Sequence, residues 1–170
     1  MSTTTTTTES VPPPSLEVRV KPPSLPSSFS PPVAVTVHVS VHNNANTPVT
    51  LLNWGSPLDP QAKVLGVFEI RDADSGESVP LDTISFRRML PPPREDFVEI
   101  PAGGAVAAEA TLPLVPLAEG HRYTIQAKGW WQAIWKKALE DVPGEDLEKM
   151  TGGQRGEFES QVVLIEVNEG

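Results

Sequence analysis

A chain of 170 residues with 13 basic and 22 acidic side chains, a formal charge of -9, repels phosphate backbones and has little to offer a nucleic acid. Cysteine is absent, which removes disulfide frameworks, thiolate nucleophiles and zinc–thiolate centres. No apolar run approaches the roughly 20 residues that a membrane-crossing helix needs, and the 19 prolines fall in clusters that punctuate strands and oppose long helices.

Residues 1–14 are rich in threonine and proline with almost nothing to bury, which predicts a disordered tail. The start, Met1-Ser2 followed by threonines, lacks the apolar core of a secretory signal, so the expected location is the cytoplasm. Residues 15–168 are expected to form one β-sandwich domain with an insertion at about 130–155. A short alternating strand at 16–20 leads into a proline-rich connection over 21–32. Then comes Val33-Ala34-Val35-Thr36-Val37-His38-Val39-Ser40-Val41, with valine at every odd position. That period of two predicts a strand with one buried and one wet face, and the branched side chains suit a pleated surface.

An asparagine-rich reversal at 42–48 precedes a strand at 49–52, which runs into a loop carrying Trp54. Further strands are expected at 67–70, 83–89, 97–100, 106–112 and 120–127, separated by the turn Asp72-Ala73-Asp74-Ser75-Gly76, by Pro91-Pro92-Pro93 and by Pro101-Ala102-Gly103-Gly104. From Gly129 the alternation gives way: Trp131, Ile134, Trp135 and Ala138 fall at i, i+3, i+4 and i+7, which predicts a short amphipathic helix. Residues 144–156 are polar and glycine-rich, with Leu147 and Met150 in one short turn, and 158–167 closes the chain as a strand. About nine short strands at this spacing predict an all-β, immunoglobulin-like antiparallel β-sandwich with a short helical insertion before the last strand.

The run Leu51-Leu52-Asn53-Trp54-Gly55-Ser56-Pro57-Leu58-Asp59 after an asparagine-rich turn resembles the amino-terminal prodomain of fungal deuterolysin-type zinc metalloendopeptidases. The likeness extends to Phe86-Arg87-Arg88-Met89, the acidic–aromatic pair Asp96-Phe97, the turn at 101–104 and Tyr123-Thr124-Ile125, covering about residues 33–128. It implies an immunoglobulin-like sandwich and a protease-facing or protein-binding role. Neither the protease domain nor the secretion signal of that family accompanies it, so it implies no proteolysis.

Candidate chemistry is sparse. His38 and His42 share the spacing of a zincin signature, but that signature needs a helix and a glutamate where Val39 stands. On a strand the two lie roughly 13 Å apart, too far for one metal. The segment Asp72 to Glu77 puts glycine fifth rather than sixth for a calcium loop, and Gly152-Gly153-Gln154-Arg155-Gly156 lacks the lysine of a phosphate loop. No catalytic residue, metal ligand or cofactor is therefore assigned.

The partner-binding candidates are Trp54, Trp130, Trp131, Trp135, Lys136 and Lys137, since tryptophan beside cationic side chains is enriched at interface hot spots. The competing reading turns Trp131, Ile134 and Trp135 inward and the lysines outward as a capping helix, with Trp54 plugging the core. A membrane-surface helix is disfavoured by Glu140 and Asp141. The expected function is a non-enzymatic protein-binding module, prodomain-like and inhibitory. The alternative is a structural adaptor that self-associates as a homodimer, or docks a partner, through edge strands or the tryptophan segment.

Overall fold

The computed structural model describes residues 16–23, 25, 32–81, 83, 88–89, 91–118 and 120–166. The expected tail at 1–14 and the centre of the expected strand at 83–89, residues 84–87, lie outside the described residues. Nine strands are described: β1 (Leu16–Val20), β2 (Val33–Asn43), β3 (Val49–Leu52), β4 (Phe68–Asp72), β5 (Phe97–Ile100), β6 (Ala105–Val115), β7 (Arg122–Trp135), β8 (Gln154–Glu159) and β9 (Val163–Glu166). They form an antiparallel three-stranded sheet, β1-β2-β6, and a six-stranded sheet built on β7. The two antiparallel sheets make the all-β sandwich that was expected.

The valine stripe does what its period requires. Val33, Val35, Val37, Val39 and Val41 are all buried, and Val35, Val37 and Val41 have no exposed surface. Val41 and Val39 stand opposite Val18 and Val20 of β1, while Val35 and Val37 stand opposite Leu112 and Ala110 of β6. They join one core with Phe68, Ile70, Leu51, Tyr123, Ile125 and Ile165 of the other sheet. Each buried valine contributes about 1.5–3 kcal/mol.

β7 is the spine of the larger sheet. Ile125 pairs with Ile70 of β4 on one edge and Val163 of β9 on the other. Ile134 likewise pairs with Leu51 of β3 and Gln154 of β8. Ser160 keeps β8 and β9 on one edge: its N–H donates to the Ala127 carbonyl at 2.8 Å and its Oγ accepts from the Ala127 N–H at 2.9 Å. The Tyr123 hydroxyl accepts from the Ala118 N–H at 2.9 Å, a tyrosine corner at the strand's entry.

The helix expected from Trp131, Ile134 and Trp135 is not formed; β7 runs unbroken through all three. Apolar residues three and four apart fit a helix and also a bulged strand: the register shift between Trp131 and Ile134 sends Trp131 and Ile134 to the main core and Ala133 and Trp135 to the second one. Backbone pairing with β8 and β3 decides between them. The helical insertion before the last strands is α1 (Gly144–Lys149), with Leu147 buried and Met150 closing it at φ 56°. It covers a second, smaller core of Leu52, Phe97, Ala133, Trp135, Val142 and Leu147. The expected final strand at 158–167 is two strands, β8 and β9, parted at Ser160.

Two polar clasps join the sheets. Buried Asn43 donates from Nδ2 towards the carbonyls of Thr47 (2.9 Å) and Ile100 (3.1 Å) and accepts the Ala45 N–H at 3.0 Å. Gln161, between β8 and β9, accepts the Val20 N–H at 3.2 Å and donates to the Val20 carbonyl at 2.9 Å.

Candidate protein-contact surface around Trp54 and Trp130

β3 is apolar on both faces: Leu51 enters the main core and Leu52 the second one. The chain then leaves the sheet in consecutive tight turns. Ser56 N–H donates to Asn53 O at 3.0 Å, Asp59 N–H to Ser56 O at 3.1 Å, and Ala62 N–H to Asp59 O at 2.9 Å. Gly55 takes φ 73°, a value that glycine meets without strain.

The Asp59 side chain is only 1% exposed. It receives Arg88 in a two-pronged ion pair at 2.8 and 3.1 Å, and the N–H groups of Gly55 at 2.8 Å and Gln61 at 2.9 Å. Burial pushes its pKa up, but the Arg88 guanidinium and the two N–H donors outweigh that and hold it below the ordinary carboxylate value. The same guanidinium lies 5.5 Å from the Trp54 ring centroid. The Trp54 indole N–H donates to Asp96 Oδ2 at 2.8 Å. Trp54 is thereby held half-buried, its ring against the second core.

Beside this assembly lies a hollow of about 350 Å³, lined by Asn53, Trp54, Asp59, Arg88, Met89 and Asp96 among others. Asn53 is 6% exposed, and its Oδ1 has no hydrogen-bond partner. A buried acceptor left unmatched costs about 1–3 kcal/mol. Met89, at the rim, is 82% exposed. A second hollow, about 370 Å³, lies against Trp54, Gly55, Leu65, Arg88 and Gln132. Gly55 packs on β7 here: a Cβ added to it would sit 3.9 Å from Gln132 Nε2 and 4.0 Å from the Trp130 carbonyl. Gly66, next to Leu65, opens a third hollow of about 480 Å³ with Lys128, Trp130, Glu157 and Glu159. Trp130 is 51% exposed and stands opposite Glu157 in register. Lys128 turns instead to Glu69 at 3.5 Å.

The six predicted contact residues do not stay together. Trp131 and Trp135 are 1% and 2% exposed. Trp131 packs on Phe158 with ring centroids 4.7 Å apart, and Trp135 donates from its indole to Thr151 O at 3.0 Å. Buried side chains cannot touch a partner, so these two are core. Lys136 and Lys137 are exposed just past the end of β7, roughly 20 Å along the chain from Trp130. Trp54 and Trp130 remain, and Gly55, next to Trp54 in the chain, packs near the Trp130 carbonyl. Asn53, Asp59 and Arg88 were not picked out from sequence. The one signal was local, a run of turn-forming Asn, Gly, Ser and Asp after an apolar strand.

The histidines build no centre. His38 Nε2 is 3.5 Å from Glu109, His42 Nε2 is 2.8 Å from Ser40 Oγ, and His121 Nδ1 lies 3.6 Å from Asp72 near the other sheet. Among the described residues, no three His, Cys, Asp or Glu side chains are grouped to hold a metal. His38 and His42 do line a hollow of about 710 Å³ on the outer face of the smaller sheet, with Arg19, Lys21 and Glu109.

A profile of the immunoglobulin-like domain family matches residues 15–167. The chain belongs to that family. This immunoglobulin-like domain is similar to a protein of Arthroderma benhamiae described as an uncharacterised secreted protein, 45% identical over 133 residues that span 76% of this chain and 67% of the relative. That finding overturns the expected cytoplasmic location. The expectation rested on the make-up of the first residues, and the absence of cysteine fits either compartment. A solved structure, Northeast Structural Genomics Consortium target SoR45, overlaps 89% of this domain and 86% of its own chain at a TM-score of 0.48 and 12% identity.

Proposed function

We propose that this chain is a non-enzymatic protein-binding module whose contact surface runs from the Trp54 hollow to Trp130. One observation carries the reading: Trp130 stands half-exposed on a strand whose other two tryptophans are buried, and Gly55 packs near its carbonyl, next in the chain to the Trp54 that Asp96 and Arg88 hold. Large aromatics at the centre of a patch supply most of the energy of a protein interface. The motifs at 51–59, 101–104 and 123–125 favour a narrower form, a prodomain-like inhibitor facing a deuterolysin-type metalloprotease. The secreted description of the Arthroderma relative suits an extracellular partner.

The test is a pull-down of deuterolysin-type proteases with the full chain, followed by a protease activity assay. Binding with loss of protease activity, abolished by Trp130→Ala and Trp54→Ala together, is expected. No binding at high micromolar concentration sinks the inhibitor form.

A second reading, a self-associating adaptor, is favoured by β9. Among the described residues it pairs only with β7, and Val162 and Leu164 are 58% and 47% exposed there. A dimer in sedimentation that Leu164→Lys abolishes and Trp130→Ala leaves intact selects it.

A further inference from the structure

Strand pairing sets the wet face of the smaller sheet as a grid. Arg19 stands opposite Ser40 and Ser40 opposite Ala107, while Glu17 stands opposite His42 and His42 opposite Ala105. His38 stands opposite Glu109, and the Lys21 N–H donates to the His38 carbonyl at 2.9 Å, which sets Lys21 beside it. Ser40 and Ala107, the small members of the middle row, floor the hollow of about 710 Å³, and Arg19, Lys21, His38, His42 and Glu109 rim it. The chain between Lys21 and Val33 carries no charged side chain. Arg19 meets Glu17 at 3.0 Å and His38 meets Glu109 at 3.5 Å, but all four side chains are about half exposed. Ion pairs so wet are weak and exchange partners readily. Histidine is the side chain that ordinarily gains its charge between pH 8 and pH 5. With both imidazoles neutral, Arg19 and Lys21 balance Glu17 and Glu109; with both charged, the face is cationic in a chain whose formal charge is -9. Arg19 first, and then Asn44, hold the Glu17 carboxyl below its ordinary value, so that acid keeps its charge while the imidazoles gain theirs.

We propose that this face binds an acidic segment of a partner protein, and binds it more tightly as pH falls. It lies on the other sheet from Trp130 and does not rest on the Trp54–Trp130 reading. An extended segment sets alternate carboxylates about 7 Å apart, which is also the spacing of Arg19 and Lys21 along one strand and of His38, Ser40 and His42 along the next. Acids elsewhere on the chain are screened beyond roughly 8 Å at physiological salt, so the incoming carboxylates meet mainly the local charge. The excess of acids, 22 against 13 bases, turns such a segment away from most other surfaces of the chain.

The probe is N-acetyl-hexaglutamate amide, titrated into the ¹⁵N-labelled full chain at pH 7.5 and at pH 5.5, with the hexaglutamine peptide as its uncharged match. Saturable shifts of the Ser40 and Ala107 amides are expected with the glutamate peptide alone. The apparent affinity should be about fivefold higher at the lower pH, the scale of two exposed ion pairs. His38→Gln combined with His42→Gln should abolish that gain and leave binding at pH 7.5 in place. Lys21→Gln should weaken binding at both pH values. Arg155→Gln, on β8 of the larger sheet, should leave both titrations unchanged. Equal affinity at the two pH values, a gain that survives the double histidine variant, equal shifts with the glutamine peptide, or shifts centred on Arg155 or Lys63 each overturn the proposal.

Discussion

Arg88 forks onto Asp59 at 2.8 and 3.1 Å across 29 residues of chain, and the acid it grips is all but sealed from solvent. The pair closes the loop that presents Trp54. Removing one member leaves the other a partly buried charge without its partner. Asp59→Asn is therefore expected to cost about 3 kcal/mol, at the low end for a broken buried pair because Arg88 keeps some contact with water. Urea unfolding followed by tryptophan fluorescence measures it; a loss under ~1 kcal/mol would show that the loop does not depend on this contact.

Acid should act through the same carboxylate. Its folded-state pKa lies below that of the unfolded chain. It therefore contributes stability that is complete above the ordinary carboxylate value, near ~4, and drains away as pH falls through the lower folded value. Glu69 and Asp72 are also lowered, the first by Arg71 and Lys128 against an upward push from burial, the second mainly by the N–H groups of Ser75 and Asp74. The wild-type chain should thus lose more stability between pH 6 and pH 3 than Asp59→Asn does. Identical pH profiles in denaturant would remove Asp59 from the account.

Gln161 supplies Val20 with the donor and acceptor that a neighbouring strand would otherwise give. Gln161→Ala should cost about 1–2 kcal/mol for two hydrogen bonds, or a few degrees in Tm. Calorimetry checks this, and an unchanged Tm would mean that water replaces the clasp without loss.

Adjacent tryptophans should behave oppositely. Trp131→Ala empties a packed site against Phe158 and is expected to cost about 3–5 kcal/mol. Trp130→Ala, on the wet face of the same strand, should stay within about 0.5 kcal/mol. If β7 were a helix through this stretch, Trp130 would not sit squarely opposite Trp131, and chemical denaturation would show no such sharp contrast.

Much of this architecture can be read from residue order where the pattern is local and unopposed. The valines of β2 have small or polar neighbours at every alternate place, so only one period fits. In β7 the period of two is also present, in Tyr123, Ile125, Ala127, Trp131, Ala133 and Trp135, all buried. A register shift between Trp131 and Ile134 reverses that alternation, so Ile134 joins Trp131 in the main core while Ala133 and Trp135 face the second one. Ile134 thereby completes a false helical stripe. The contact surface was half legible: exposed and buried tryptophans look alike in a sequence. Asp59 with Arg88, Asn43 with Ile100 and Gln161 with Val20 are separated by 29, 57 and 141 residues, and no local pattern marks such meetings.

β7 has neighbours along both edges, at Ile125 and again at Ile134. Of the other strands in the larger sheet, only β5, which pairs with β3, can fray without leaving this strand. Its amides are therefore the last to trade hydrogen for deuterium, and they do so only when the whole sheet comes apart. The end of β7 also floors the smaller core under α1, so the loop that displays Trp54 shares its cooperative unit with the deepest part of the molecule.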